Sequence, residues 1–380
     1  MDDVVIRPLE SHDELARAEA LEQVVWGGPP IVPAATMRAV LEVGGCVLGA
    51  WLGDELVGFC FGFPGWRRRQ PVPPGLDEPA GPAAAAGFGP ADVPATGAVA
   101  PPGPLAGPSA PPPPDVLAGP QVPPPPVPGP AGEREPVFHS DLLAVRPEVR
   151  DRGIGRRLKL AQREWALAQG LHLITWTYDP LQARNGYLNL TRLGGIARRY
   201  VREFYGVLDD ELNRGLPADR LVIEWYLRSR RVVRRAAEGA TPGTATGRPG
   251  TGAWAAAPAA GELAAGHGPA PVSGGVPVLN QVRDAGGIPE PAGWRPPRGE
   301  PVVGVRIPAR FADWRQDRPE WGLAWRFHVR EVLEACLAAG YLLDRCVPEG
   351  AGTAAGAAGG GGAGWSGSTV LYILARQAGE

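Results

Sequence analysis

Two long stretches of this chain are too rich in proline, glycine and alanine to fold by burial. Residues 70–133 carry the runs Pro111 to Pro114 and Pro123 to Pro126, and residues 237–299 have a similar composition. Such segments have too little apolar surface to offset the entropy of an ordered chain. They read as a disordered or polyproline-II insert and a linker. Most of the 45 Pro and nearly half of the 54 Gly fall in these stretches, and the aromatic residues mostly fall outside them. Roughly 240 to 250 residues of foldable chain remain, enough for one core and a small second unit.

Outside the stretches, three pieces show regular patterning. In residues 4–69, a strand over 4–7 precedes helices over 12–25 and 33–43, and two apolar strands over 46–52 and 56–63 meet across Gly53-Asp54. In residues 134–236, the pattern predicts strands over 139–145 and 171–178, with a helix over 154–169 between them that stops at Gly170. A helix near 183–193 and strands near 197–204 and 221–227 follow. Residues 300–380 read as strands over 302–307, 341–347 and 370–375 with a helix over 320–339, and 350–367 as a Gly/Ala loop. The first insert lies between two strands, so it is expected to be a loop within one domain built from 1–69 and 134–236.

The formal net charge of -2 exerts no general pull on nucleic acid or an anionic membrane. The basic run from Arg228 to Arg235 reads as a solvated helix tail. The four cysteines lack zinc-type spacing, and no metal is expected. The acidic start Met1-Asp2-Asp3 is unlike a signal peptide, and no apolar run approaches the ~18 to 20 residues that span a bilayer. A cytoplasmic protein is expected.

The run from Leu142 to Leu158 carries the chemistry. A strand ends at Val145-Arg146-Pro147, and Arg150-Asp151-Arg152-Gly153-Ile154-Gly155 opens a helix. Glycines let backbone approach a ligand, and the first helical turn offers unpaired amides at the positive end of the dipole. Such a site holds a pyrophosphate; the alternative is an ordinary helix start. Leu158 stands where a dinucleotide fingerprint needs its third glycine, and no Gly-x-x-x-x-Gly-Lys motif is present.

These residues resemble the GNAT superfamily of acyl-CoA N-acyltransferases, whose [Arg/Gln]-x-x-Gly-x-[Gly/Ala] signature matches Arg150 to Gly155 at every position. The element order over 4–69 and 134–228 is similar too. The resemblance implies an α/β (α+β) GNAT fold: a mixed, mostly antiparallel central sheet with a splayed strand pair and helices on both faces. It implies acetyl-CoA or another acyl-CoA as co-substrate. Leu143, Ala144 and Val145 would pair with the pantetheine arm, and the amides of Arg150, Asp151, Arg152, Gly153, Ile154, Gly155 and Arg156 would cradle the pyrophosphate. Asn185, or else Asn189, would contact the arm. The acceptor would be a small amine or amino acid, and a homodimer is compatible with the reading.

One position departs from the family. Leu190 stands where many members place a tyrosine acid. Tyr187 is the candidate replacement, with Tyr178, Tyr200 and Tyr205 as alternatives, or no fixed acid operates. His139 and Asp141 are candidate bases; either could instead be an ordinary strand-start partner. A non-catalytic acyl-CoA sensor or scaffold is the rival reading. Val305 to Pro308, Trp325-Arg326, Gly340-Tyr341, Tyr372 to Leu374, Asp209 to Arg220 and Glu224-Trp225 resemble a long-form group of predicted bacterial GNAT acetyltransferases. On that resemblance, residues 300–380 would dock on the acyltransferase domain.

Overall fold

The computed structural model describes residues 4–74, 76, 134–206, 215–238, 275–349 and 368–377. The first insert, the first part of the expected linker, the 350–367 loop and the Asp209 to Arg214 part of the Asp209 to Arg220 segment lie outside them, apart from the insert's first residues.

The chain opens with β1 (Val4–Pro8), α1 (His12–Trp26), α2 (Ala34–Glu42), β2 (Cys46–Leu52) and β3 (Glu55–Arg68). Ser11 caps α1 through a capping box with Glu14, which satisfies amides at the helix start. Gly53, at φ +58°, makes the tight turn between β2 and β3 in a conformation that favours glycine. Next come β4 (Arg134–Val145), α3 (Ile154–Ala168), β5 (Leu173–Tyr178), α4 (Ala183–Gly186), β6 (Ile196–Val201), β7 (Arg220–Tyr226) and α5 (Arg230–Ala237). The expected helix near 183–193 is divided: α4 gives way to a π-helical turn over Tyr187–Arg192.

Residues 280–294 correct the linker expectation. They form a hairpin of β8 (Asn280–Ala285) and β9 (Ile288–Trp294). Its turn, Gly286-Gly287, has two positive φ angles and looks like linker composition in the sequence. Then come β10 (Val302–Pro308), α6 (Phe311–Arg315), α7 (Pro319–Ala338), β11 (Tyr341–Pro348) and β12 (Thr369–Arg376).

The main sheet has the strand order β1-β2-β3-β4-β5-β7-β6-β11-β12-β10. β4 and β5 run parallel, and the other strand registers described in this sheet are antiparallel. Helices cover both faces. Leu15, Ala18, Leu21 and Met37 of α1 and α2 share a core with Phe59, Leu142 and Ala144, whereas Leu158 and Ala166 of α3 join a second core with Phe138, Ile174 and Trp225. The fold class read from the sequence is therefore the one observed: mixed α/β, mostly antiparallel, with helices on both sides.

The second core continues into the C-terminal segment, taking in Trp325, Val329, Leu343 and Tyr372. Buried polar contacts join the segment to the first part. Arg326 of α7 pairs with Asp179 at 2.7 Å, with 1% and 9% of their side chains exposed. Arg330 grips Asp219 at 2.7 and 2.8 Å, and the Tyr178 hydroxyl donates to that of Tyr372 at 3.2 Å. Removing one member of a buried pair strands the other charge. Asp179→Ala is expected to lower the unfolding free energy by roughly 3–5 kcal/mol, read from urea denaturation against the parent chain.

Candidate active site

β4 and β5 are registered at only two pairs, Phe138 with Ile174 and His139 with Thr175. Beyond them the strands part. β4 also changes its facing there. Phe138 packs against Trp165 of α3, and Ser140 accepts a hydrogen bond from Lys159 of α3. Leu142 and Ala144, however, lie in the α1/α2 core. Strict alternation would keep these even-numbered residues on one face. One extra residue is therefore absorbed between Ser140 and Leu142, as a bulge does.

The glycine turn leads back to this gap. Gly153 caps α3 at φ +77° with no side-chain cap, and the carbonyl of Gly153 first accepts from the amide of Arg157. The amides of the opening turn, Ile154 to Arg156, thus lack intrahelical partners. A Cβ added to Gly155 would meet Leu143, Val145 and Leu188 at 3.7 to 3.9 Å, so Gly155 faces β4 and the π-helical turn. Arg152 is exposed, and the Arg150 side chain returns to the Val145 carbonyl. Asp151, at φ 65°, approaches Arg184 at 3.6 Å. The Arg156 side chain turns away from the glycine turn: it donates to the carbonyls of Arg235 and Glu238 and so caps α5, while its amide stays in the first turn.

His139 stands where the strands part. Its Nδ1 lies 3.4 Å from Thr175 Oγ1, its Nε2 lies 3.7 Å from Asp141, and its ring packs on Phe63. Burial lowers the His139 pKa, the Asp141 charge opposes this, and the Lys159 charge adds to the lowering. Burial raises the pKa of Asp141, with His139 opposing. The imidazole is accordingly neutral near pH 7 and able to take a proton. Asn185 is exposed on α4, whereas Asn189 is buried in the π-helical turn. Tyr187 is partly buried. Leu190 is fully buried in core. Tyr178 and Tyr200 are both committed to internal hydrogen bonds, with Tyr372 and Asp219.

Glu22, Thr175 and Thr177 near the gap escaped the sequence reading, which named Tyr205, Arg220 and Glu224. Glu22 of α1 is 1% exposed. Its Oε2 accepts from the amides of Ile31 and Val32, and its Oε1 has no partner among the described residues. Burial raises its pKa. Tyr205 and Thr177 share a hydrogen bond of 2.9 Å, and the Arg220 guanidinium sits 5.3 Å from the Tyr205 ring centroid. Glu224 lies opposite Thr175 on β7 and is held by Arg198, Arg67 and Tyr226. Burial acts to raise its pKa, but these partners win and it stays ionised. Only the alternation of β5 and β7 could have flagged Thr175, Thr177 and Glu224 as one face; Glu22 lies on an apolar helix stripe and gave no such signal.

No family model matches the sequence, and no curated protein matches it. The chain is similar in backbone course to the ribosomal-protein-S18-alanine N-acetyltransferase from Escherichia coli, at 12% identity over 59% of this chain and 94% of that one, with a TM-score of 0.35. A GNAT family acetyltransferase from Elizabethkingia anophelis with acetyl-CoA bound is 10% identical over 60% and 99%, at 0.32. Arabidopsis thaliana NAA60 in complex with a bisubstrate analogue is 13% identical over 59% and 99%, at 0.35.

The His139 environment makes a direct prediction. Its NMR titration midpoint should lie below the ordinary value of about 6.5. Asp141→Asn removes a charge that favours the imidazolium, so the midpoint should fall further.

Proposed function

We propose that this chain is a GNAT-type, acyl-CoA-dependent N-acyltransferase of the cytoplasm, acting on a small amine or amino acid. The observation that carries the reading is the uncapped helix start at Gly153, whose Gly155 faces Leu143 and Val145 of β4 beyond the last registered pair of β4 and β5.

In this reading the first-turn amides of α3 bind the diphosphate, and Arg152 adds positive potential. Beyond His139, β4 no longer has β5 as a registered partner, so the backbone of Leu143 to Val145 is placed to pair with the amides of the pantetheine arm. The thioester then reaches the point where the strands part. The acceptor amine attacks its carbonyl, the carbon–sulfur bond breaks, and neutral His139 takes the amine proton. Asp141 orients the imidazole and favours the imidazolium that forms. Oε1 of Glu22, without a partner among the described residues, suits the ammonium form of an acceptor amine. The acyl group is most simply acetyl.

A non-catalytic acyl-CoA holder is the second reading, favoured by the fully buried Leu190 where a tyrosine acid would stand. Release of CoA thiol from acetyl-CoA across a panel of amines and amino acids separates the two. Calorimetric titration tests the shared premise. Gly155→Leu should weaken CoA binding by about tenfold or more while leaving the melting temperature close to that of the parent. Unchanged affinity in Gly155→Leu and in the Gly153→Val, Gly155→Leu double variant would overturn both readings.

A further inference from the structure

Lys159 is a buried cation that no step above uses. It lies on α3 one helical turn after Gly155 and on the same face. Only 2% of it is exposed. Its Nζ donates to Ser140 Oγ at 2.6 Å and to Gln162 Oε1 at 3.3 Å, and sits 3.9 Å from the centroid of the Trp176 ring. Ser140 and Trp176 immediately follow His139 and Thr175, the last registered pair of β4 and β5. The ammonium therefore bridges the two strands at the apex of the gap.

We propose that Lys159 is the proton donor to the thiolate that leaves when the thioester is cleaved at this apex. The inference rests on the acyl-CoA reading and supplies the acid that Leu190 cannot. As the amine nitrogen bonds to the carbonyl carbon, the electron pair of the carbon–sulfur bond passes to sulfur. Sulfur takes a proton from Lys159 Nζ, and His139 holds the proton lost by the amine. Exchange with water resets both groups.

The surroundings suit this role. Burial pushes the Lys159 pKa down to about 7, with Cys60 opposing. An ammonium near neutrality both releases and regains its proton at working pH. The titratable neighbours are Cys60 on β3, with Cys46 behind it on β2, and His139 with Asp141 on β4. Burial holds the Cys60 thiol up at about 12, so it competes for no proton near pH 7. Gln162 and Trp176 complete the surroundings without charge.

The test uses CoA itself, because no acceptor is needed. The thiolate of bound CoA is followed by ultraviolet absorbance against pH, with the desulfo-CoA complex as blank and free CoA as reference. Thiolate and Lys159 titrate as a pair: the forming thiolate raises the lysine pKa and holds the ammonium, so bound CoA should begin to ionise roughly one to three units below free CoA. The shift should vanish in Lys159→Met and persist in Lys159→Arg. Bound CoA that titrates at or above free CoA in the unaltered protein overturns the proposal without recourse to a variant, as does an unchanged shift in folded Lys159→Met. Failure of the protein to bind CoA would appear earlier, in the binding isotherm, and would remove the acyl-CoA reading itself.

Discussion

Parallel pairing of β4 with β5 ends after His139 and Thr175, and the strands diverge from there. A sheet interior normally satisfies its backbone groups through its neighbours. Where two central strands separate, those groups become available to something else. The separation is supported on one side by α3, which packs Leu158 beneath the sheet, and by the change of facing in β4 between Ser140 and Leu142. The same helix starts at the uncapped Gly153 turn, which leaves its first amides without intrahelical partners. The bulge, the helix start and the divergence act as a unit.

Charge is distributed unevenly around that unit. Glu224 is locked in an ionised state by Arg198, Arg67 and Tyr226, so it shapes the face without titrating near neutrality. His139 and Lys159 lose much of their hydration and have few compensating charges, and both are shifted toward their neutral forms. A site that must move protons near pH 7 needs groups of this second kind. The fully paired carboxylates, Asp179 with Arg326 and Asp219 with Arg330, lie instead where α7 meets the first part of the chain. Their value there is geometric. A buried pair that loses its partner is costly, so the contact tolerates little slippage.

The C-terminal segment extends the sheet through β11, which meets β6 at Leu343 and Ala197. It also reaches beneath the site. Tyr372 packs against Gly186 closely enough that a Cβ there would sit 2.8 Å from its hydroxyl, and it donates to the Pro180 carbonyl. The β5–α4 connection is thus set partly by a strand nearly 200 residues later in the sequence, a constraint that local patterning cannot carry.

Much of the fold was legible in the residues alone. Period-2 and period-3.6 patterns place β1 to β3, α3, β5, β7 and α7 to within a few residues, because those patterns report burial on one face. The Arg150 to Gly155 turn was visible because the positive φ at Gly153 favours glycine, which stands out in the sequence at a helix start. The β8–β9 hairpin was hidden, since the composition of its Gly286-Gly287 turn is that of a linker. So was the turning of Arg156 to cap α5, about 80 residues downstream. Lys159 reads in sequence as an ordinary helix cation; only the convergence of Ser140, Trp176 and Cys60 removes its water and makes it a candidate acid. Sequence determines which segments are strands and helices and where the chain can turn through a positive φ at a helix start, because these depend on neighbouring residues. Tertiary structure decides which side chains share a desolvated space, because that depends on groups far apart in the chain arriving at one point.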